Sequence, residues 1–104
     1  MIGLIVERLR KGYHPERVIL FGSYASGDPD EASDIDILVI KNTNEPARRR
    51  RIEVKKILDT PVDFPPVEPL VMTSDEIERR LELSDDFVKT IMTKGRVIYA
   101  GTGT

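Results

Sequence analysis

The 104-residue chain has no cysteine, which excludes disulfides and zinc sites built on thiolates. It also lacks any apolar run near the ~20 residues that a membrane span requires. Its formal net charge of -2 gives it no overall attraction to nucleic acid or to anionic lipid. Charged residues appear as early as Glu7, so the N-terminus is a poor signal peptide. We therefore expect a cytoplasmic protein that binds no membrane, and nucleic acid is not an expected partner.

The length and composition predict a single domain. We expect residues 1–100 to form this domain and residues 101–104 to form a flexible tail. Hydrophobic residues make up 39% of the chain and charged residues 33%, a balance that suits a globular domain with a highly charged surface.

The spacing of apolar residues predicts both helices and strands. We expect helices over residues 2–11, 45–58, 73–83 and 84–94, and strands over residues 17–21, 34–40, 67–72 and 97–99. The loop over residues 22–33 has room for one helical turn at its start. Pro69 should confine the third strand to a sheet edge or a distorted pairing. Thr73 and Glu76 have the spacing of a capping box. The predicted fold is a small α/β or α+β domain with one sheet.

Two polar features stand at the ends of the first two predicted strands. Gly22 and Ser23 follow the first strand, where glycine permits a sharp turn and the next amides can face a phosphate. Asp34 and Asp36 open the second strand, and side-chain alternation places both on one side, about 7 Å apart. Such carboxylates raise each other's pKa unless a cation lies between them, and their oxygens suit Mg²⁺ or Mn²⁺. An isolated D-x-D is more often a polar loop, but the combination predicts a site for a nucleoside triphosphate and a metal.

The pattern of Gly22-Ser23, ten residues and then Asp34-x-Asp36 resembles the signature of the polymerase-beta-like nucleotidyltransferases. The stretch GSYASG and the later SDIDILV, in a short chain, are similar to the minimal nucleotidyltransferases. These are small prokaryotic proteins that are often paired with HEPN-domain toxins. A T-S-D-E helix start at Thr73 and a V-I-Y strand near the end extend the resemblance over nearly the whole chain.

The resemblance implies a small mixed β-sheet flanked by helices and a transferase that moves AMP from ATP onto a hydroxyl group. Asp34 and Asp36 would hold two divalent ions, Mg²⁺ or Mn²⁺, while Gly22 and Ser23 would bind the triphosphate. A third carboxylate on a neighbouring strand would act as base and metal ligand. The implied acceptor is a tyrosine of a partner HEPN toxin, so that this protein would be the antitoxin. Assembly into a homo-oligomer is left open.

The sequence departs from the family pattern at two places. Ser26 stands where the family often has arginine after G-S-Y-A. The third carboxylate is either Glu68, in V-E-P-L-V-M-T, or Asp63, in P-V-D-F. We favour Glu68 because it lies inside a predicted strand, whereas Asp63 precedes two prolines. A glutamate would place its carboxylate about one methylene further out, which would slow catalysis or alter its geometry.

These departures keep alternative functions open. A catalytically weak or inactive relative could neutralise a partner protein by binding it, without any transfer. Transfer to the end of an RNA or to a small molecule is a third hypothesis. A basic run, residues 48–51 with Lys55 and Lys56, is interpreted as a solvated helix face because no aromatic residues are interleaved with it.

Overall fold

A computed structural model describes residues 1–30 and 32–101 of the chain. Within these residues the helices are α1 (Ile2–Gly12), α2 (Ser23–Ser26), α3 (Ala47–Leu58), α4 (Ser74–Glu82) and α5 (Asp86–Lys94). The strands are β1 (Arg17–Phe21), β2 (Ile35–Ile40), β3 (Val67–Met72) and β4 (Arg96–Ala100). No helix in this part of the chain combines the length and the apolar character needed to cross a membrane.

The predicted elements are present, and their bounds differ by one or two residues. The helices predicted from residues 45 and 84 begin at Ala47 and Asp86, because Pro46 and Asp85 occupy the N-cap positions. The Asp85 side chain accepts a hydrogen bond of 3.2 Å from the Val88 amide. The capping box predicted for α4 is confirmed in full. Of the predicted flexible tail, only Gly101 falls within the described residues.

The four strands form one mixed sheet in the order β3-β2-β1-β4. Strand β1 is antiparallel to both β2 and β4, whereas β2 and β3 are parallel. The predicted mixed sheet is therefore confirmed. Strand β3 lies at an edge, as its proline predicts, because Pro69 has no N–H group to donate to a further strand.

Strand β2 is central and is buried on both faces. Its odd-numbered residues from Ile35 to Val39 pack with α1 and α3 in one cluster. Leu38 and Ile40 lie on the opposite face and pack with α4 and α5 in a second cluster. The sheet thus separates two helical layers, and alternation along the strand places Asp36 on the α4–α5 face.

One arginine of the basic run is buried, so the interpretation of this run as a solvated face is wrong at Arg50. The Arg50 side chain is only 7% exposed, and Nη1 lies 2.6 Å from Oε1 of Glu76. Its Nε also donates to the Glu45 carbonyl oxygen at 2.6 Å. Glu76 Oε1 in turn accepts a 2.8 Å hydrogen bond from the Thr73 amide. One carboxylate therefore closes the cap of α4 and ties that helix to α3.

We expect Arg50→Ala to lower the free energy of unfolding by about 1–3 kcal/mol, since the half-exposed Glu76 carboxylate loses the buried guanidinium that pairs with it. Arg49→Ala is the matched control, because its ion pair with Glu45 is exposed and 3.8 Å long. This control should lose less than about 0.5 kcal/mol. Urea unfolding measures both variants. Equal losses would contradict the structural role assigned to Arg50.

The same ion pair predicts a dependence of stability on pH. The hydrogen bond from the Arg50 guanidinium lowers the pKa of Glu76 below its ordinary value of 4.5. Burial of the carboxyl group raises this pKa, while the hydrogen bond from the Thr73 amide lowers it further. The stabilisation is therefore complete above pH 4.5 and is lost as the pH falls through the folded-state pKa. The difference in unfolding free energy between wild type and Glu76→Gln should stay constant at higher pH and shrink in acid.

Urea unfolding at a series of pH values measures this difference. Glu78→Gln, an exposed position on the same helix, is the control and should differ little from wild type at any pH. A Glu76→Gln difference that stayed constant through acid pH would show that the carboxylate charge contributes nothing.

Candidate active site

The chain turns sharply at Gly22 between β1 and α2. Gly22 has a φ of +75°, in the left-handed region that favours glycine. Its carbonyl oxygen accepts hydrogen bonds from the amides of Ala25, at 3.1 Å, and Ser26, at 3.2 Å. The amides of Ser23 and Tyr24 precede these first helical bonds, so the helix itself gives them no acceptor. They are available to bind the oxygens of an anion such as a phosphate.

Gly22 also lies directly against Asp36. A Cβ atom added to Gly22 would come within 2.5 Å of the Asp36 carboxylate oxygen Oδ2. The antiparallel register explains the contact, because Phe21, the residue before the turn, pairs with Asp36 across β1 and β2. Only glycine fits at this position without displacing the carboxylate. The two features predicted from the sequence, the turn and the aspartate pair, are therefore adjacent in the fold.

Three carboxylates lie at one end of β2 and β3. Asp34 immediately precedes β2, which begins at Ile35, one residue later than predicted. Asp36 pairs in register with Glu68 across the parallel strands, so the two side chains project from the same face at neighbouring positions. Alternation places Asp34 on that face as well. The row across the sheet is thus Phe21, Asp36 and Glu68.

Asp36 is partly buried and has two carboxylates as neighbours. Partial burial is the main reason that its pKa is raised, and the negative charges of Asp34 and Glu68 raise it further. The ionised form of Asp36 is therefore disfavoured by its own surroundings. A cation placed among these groups would relieve the repulsion.

The alternative third carboxylate, Asp63, lies elsewhere. It is exposed, in a turn that the Phe64 amide closes with a 3.0 Å hydrogen bond to the Pro61 carbonyl oxygen. Asp63 is not among the charges that shift the Asp36 pKa, whereas Glu68 is. The structure thus brings Gly22, Asp36 and Glu68 together and leaves Asp63 outside the group.

Two basic residues of α3 contact Glu68, and the sequence reasoning missed both contacts. Arg51 Nη2 lies 2.6 Å from Oε2 of Glu68, and Lys55 Nζ lies 3.9 Å from Oε1. Arg51 and Lys55 are four residues apart and so share one face of the helix. That spacing was visible in the sequence, but the carboxylate that the face meets was not.

The donor atoms of this group suit a hard divalent cation. Within residues 1–30 and 32–101, no three side chains of His, Cys, Asp or Glu converge closely enough to hold a metal. Glu68 is engaged by Arg51, which leaves Asp34 and Asp36 as the available pair. Mg²⁺ is commonly bound through one or two carboxylates, with substrate phosphates and water completing its shell. Two aspartates beside a turn whose first amides have no helical acceptor fit that requirement.

Ser26, at the position where arginine was expected from the resemblance, has a structural contact. Its Oγ donates a 3.1 Å hydrogen bond to the Ser23 carbonyl oxygen. The amides of Gly27 and Asp28 donate to the same oxygen, each at 3.1 Å. Ser26 therefore helps to close the short helix that follows Gly22, and it supplies no positive charge to an anion.

We expect Asp36→Asn to raise the melting temperature by about 2–5 °C, because the substitution removes a charge that burial and two carboxylates disfavour. The gain should be largest at pH values above the raised pKa of Asp36 and should vanish in acid, where wild-type Asp36 is protonated. Thermal unfolding in a chelator measures it. Asp63→Asn, at an exposed position outside the group, should leave the melting temperature unchanged. A lower melting temperature for Asp36→Asn would mean that the carboxylate stabilises the fold.

Comparison with known proteins identifies the family. Residues 2–98 match the family described as "Nucleotidyltransferase domain". A stretch of 25 residues is 68% identical to "Putative protein adenylyltransferase MJ0141" of Methanocaldococcus jannaschii, and covers 24% of this chain and 25% of that protein. "Putative protein adenylyltransferase MJ0604" of the same organism is 28% identical over 88 residues, which cover 81% of this chain and 78% of the relative.

A solved structure shares the fold. The crystal structure at 1.40 Å of a "putative nucleotidyltransferase" from Sulfolobus solfataricus matches this chain with a TM-score of 0.65 and 23% sequence identity. The match covers 99% of this chain and 83% of the other. The structural match and the family match extend over nearly all of the chain, and they confirm the resemblance found in the sequence. The chain belongs to the nucleotidyltransferase domain family.

Proposed function

We propose that this nucleotidyltransferase moves AMP from ATP onto a hydroxyl group of another protein. The observation that carries the proposal is the contact of the Gly22 turn with the Asp36 carboxylate, beside Glu68. Through this contact, a turn whose first amides have no helical acceptor lies next to a group of carboxylates. The names of the two relatives from Methanocaldococcus jannaschii support a protein as acceptor.

The residues around the turn have distinct roles in this proposal. The amides of Ser23 and Tyr24 bind oxygens of the triphosphate, and the absent side chain of Gly22 lets the phosphates approach the backbone. Asp34 and Asp36 hold Mg²⁺ or Mn²⁺. The bound ions would neutralise phosphate charge and make the α-phosphorus more electrophilic.

Glu68 is the proposed base. The acceptor oxygen forms a bond to the α-phosphorus while the bond from that phosphorus to the bridging oxygen breaks, and pyrophosphate leaves. The proton of the acceptor hydroxyl passes to a Glu68 carboxylate oxygen. Arg51, 2.6 Å from Oε2, orients this carboxylate and leaves Oε1 with only a distant contact to Lys55. Oε1 is therefore the better placed of the two oxygens to take the proton.

The acceptor in this proposal is a tyrosine on a HEPN-type toxin, which the modification would silence. The support for this part is the resemblance of the GSYASG and SDIDILV stretches to the minimal nucleotidyltransferases. The protein would then act as the antitoxin of a pair.

The test is transfer of label from ATP to the protein encoded by the neighbouring gene, in the presence of Mg²⁺ or Mn²⁺. ATP labelled at the α-phosphate should label the acceptor, while ATP labelled at the γ-phosphate should not, because pyrophosphate leaves. Asp34→Asn, Asp36→Asn and Glu68→Gln should each lower the rate by about 100-fold or more. Mass spectrometry of the acceptor should find one added AMP on a tyrosine.

Asp63→Asn is the matched control, since it removes a carboxylate of similar sequence context from outside the group. Its rate should equal that of wild type. If Asp63→Asn abolished transfer and Glu68→Gln did not, the assignment of the third carboxylate would be reversed. If the Asp34 and Asp36 variants transferred label at the wild-type rate, the proposed site would be wrong.

A second candidate function is inhibition of the partner by binding alone. The ion pairs of Glu68 with Arg51 and Lys55 favour it, since a carboxylate that two cations hold is less free to contact an acceptor hydroxyl. In that case the Asp34 and Asp36 variants would inhibit the partner as well as wild type does, and no label would be transferred. The same experiment therefore separates the two functions.

A further inference from the structure

A cleft of about 320 Å³ opens between α2 and α5, directly beside the phosphate-binding turn. Gly22 itself lines it, together with Phe21, Ala25, Phe87, Ile91 and Lys94. The volume lies at the lower end of the range for small-molecule sites. Because Gly22 belongs both to the turn and to the cleft, a molecule whose phosphates lie at Ser23 can extend into the cleft without a gap.

The walls of the cleft are mainly apolar and aromatic. Phe21 projects from β1, and its ring lies edge-on to that of Phe87, with centroids 5.8 Å apart and planes at 82°. Gly95 lets the end of α5 pack against the sheet, because a Cβ there would lie 2.5 Å from Cγ2 of Ile19. Phe87 is nevertheless 57% exposed, an unusual position for a phenylalanine that lines a packed site. An exposed aromatic ring beside an apolar cleft is suited to a flat heterocycle.

Lys94 supplies a positive charge at the same cleft. It is the last residue of α5, its side chain is exposed, and none of the ion pairs among residues 1–30 and 32–101 involves it. Ser26 provides no cation on the opposite side. A lysine that shares a cleft with Gly22 therefore complements the charge of a phosphate at the turn.

A second cleft, of about 370 Å³, is less suitable for the nucleotide. It lies among α3, β3, α4 and α5, and its lining includes Arg50 and Glu76, which are already paired with each other. Phe87 lines this cleft as well, and the three clustered carboxylates line neither cleft. Gly22 and Thr90 line only the cleft between α2 and α5, so Thr90→Trp, described below, tells the two clefts apart.

We propose that the cleft between α2 and α5 holds the nucleoside of the triphosphate, with the base against Phe87 and with Lys94 contacting a phosphate. This inference rests on the proposed function and adds to it the residues that bind the base and sugar. Phe87 and Ile91 act as nucleoside-binding residues in this assignment, whereas the carboxylates act on the phosphates.

The test compares two ligands by calorimetry, a non-hydrolysable ATP analogue and inorganic tripolyphosphate, each with Mg²⁺. Wild type should bind the ATP analogue more tightly, because only this ligand has a base and a sugar to fill the cleft. Phe87→Ala should weaken binding of the ATP analogue by about tenfold and leave tripolyphosphate binding unchanged. Lys94→Gln should weaken the binding of both ligands by a similar factor.

Two further variants serve as controls that separate a loss of binding from a loss of folding. Leu83→Ala removes another exposed apolar side chain, 66% exposed and outside the cleft, and should bind both ligands as wild type does. Thr90 is an exposed residue of the cleft lining. Thr90→Trp should fill the cleft, so that it weakens binding of the ATP analogue and leaves tripolyphosphate binding unchanged. Thermal unfolding shows whether each variant is folded.

The outcomes separate this inference from the proposed function. If wild type bound neither ligand, both would be wrong. If wild type bound the two ligands equally, or if Phe87→Ala and Thr90→Trp bound the ATP analogue as wild type does, the cleft assignment would be overturned and the triphosphate site would stand. Unchanged binding of both ligands by Lys94→Gln would remove the lysine from the assignment.

Discussion

The approach of the Gly22 backbone to the Asp36 carboxylate is the contact on which the site depends. A Cβ atom at position 22 would come within 2.5 Å of Oδ2, so glycine is the residue that leaves the carboxylate undisplaced beside the turn. The contact also requires the antiparallel register that pairs Phe21 with Asp36. A shift of one residue would carry Asp36 to the other face of β2, into the cluster beneath α1 and α3. The apolar residues that β2 buries on both faces oppose such a shift in register. The shift would either expose these apolar residues or bury the aspartates.

The hydrophobic packing of β2 thus holds together charges that repel one another. Burial and two neighbouring carboxylates disfavour ionised Asp36, while the apolar residues that follow it keep the strand in place. Glu68 is neutralised from outside the sheet by Arg51 and Lys55. The positive charges of α3 therefore act in two ways, since Arg50 fixes the position of the helix through Glu76 while Arg51 reaches the site. A helix that is anchored by Arg50 keeps the backbone of Arg51 within reach of Glu68.

Much of this arrangement could be predicted from the sequence, and the limits have physical causes. The strands and helices follow from apolar spacing, and the edge position of β3 follows from Pro69. We favoured Glu68 over Asp63 because Glu68 lies in a predicted strand. The position of Glu68 beside Asp36, however, depends on the parallel register of β2 and β3, which no local sequence pattern specifies. The burial of Arg50 could not be foreseen, because its partner Glu76 is 26 residues away and α3 carries basic residues on several sides. The cleft arises only when α5 packs across β1.

The ion pair of Glu68 with Arg51 connects the charges of the site to α3. Arg51 pairs with this carboxylate and reduces the repulsion that it exerts on Asp36. In the proposed mechanism, a divalent ion between the aspartates would reduce the same repulsion from the other side, while Arg51 keeps Glu68 in position. Under that proposal, the cation would bind readily, since it would remove the repulsion around Asp36 that the packing of β2 otherwise sustains.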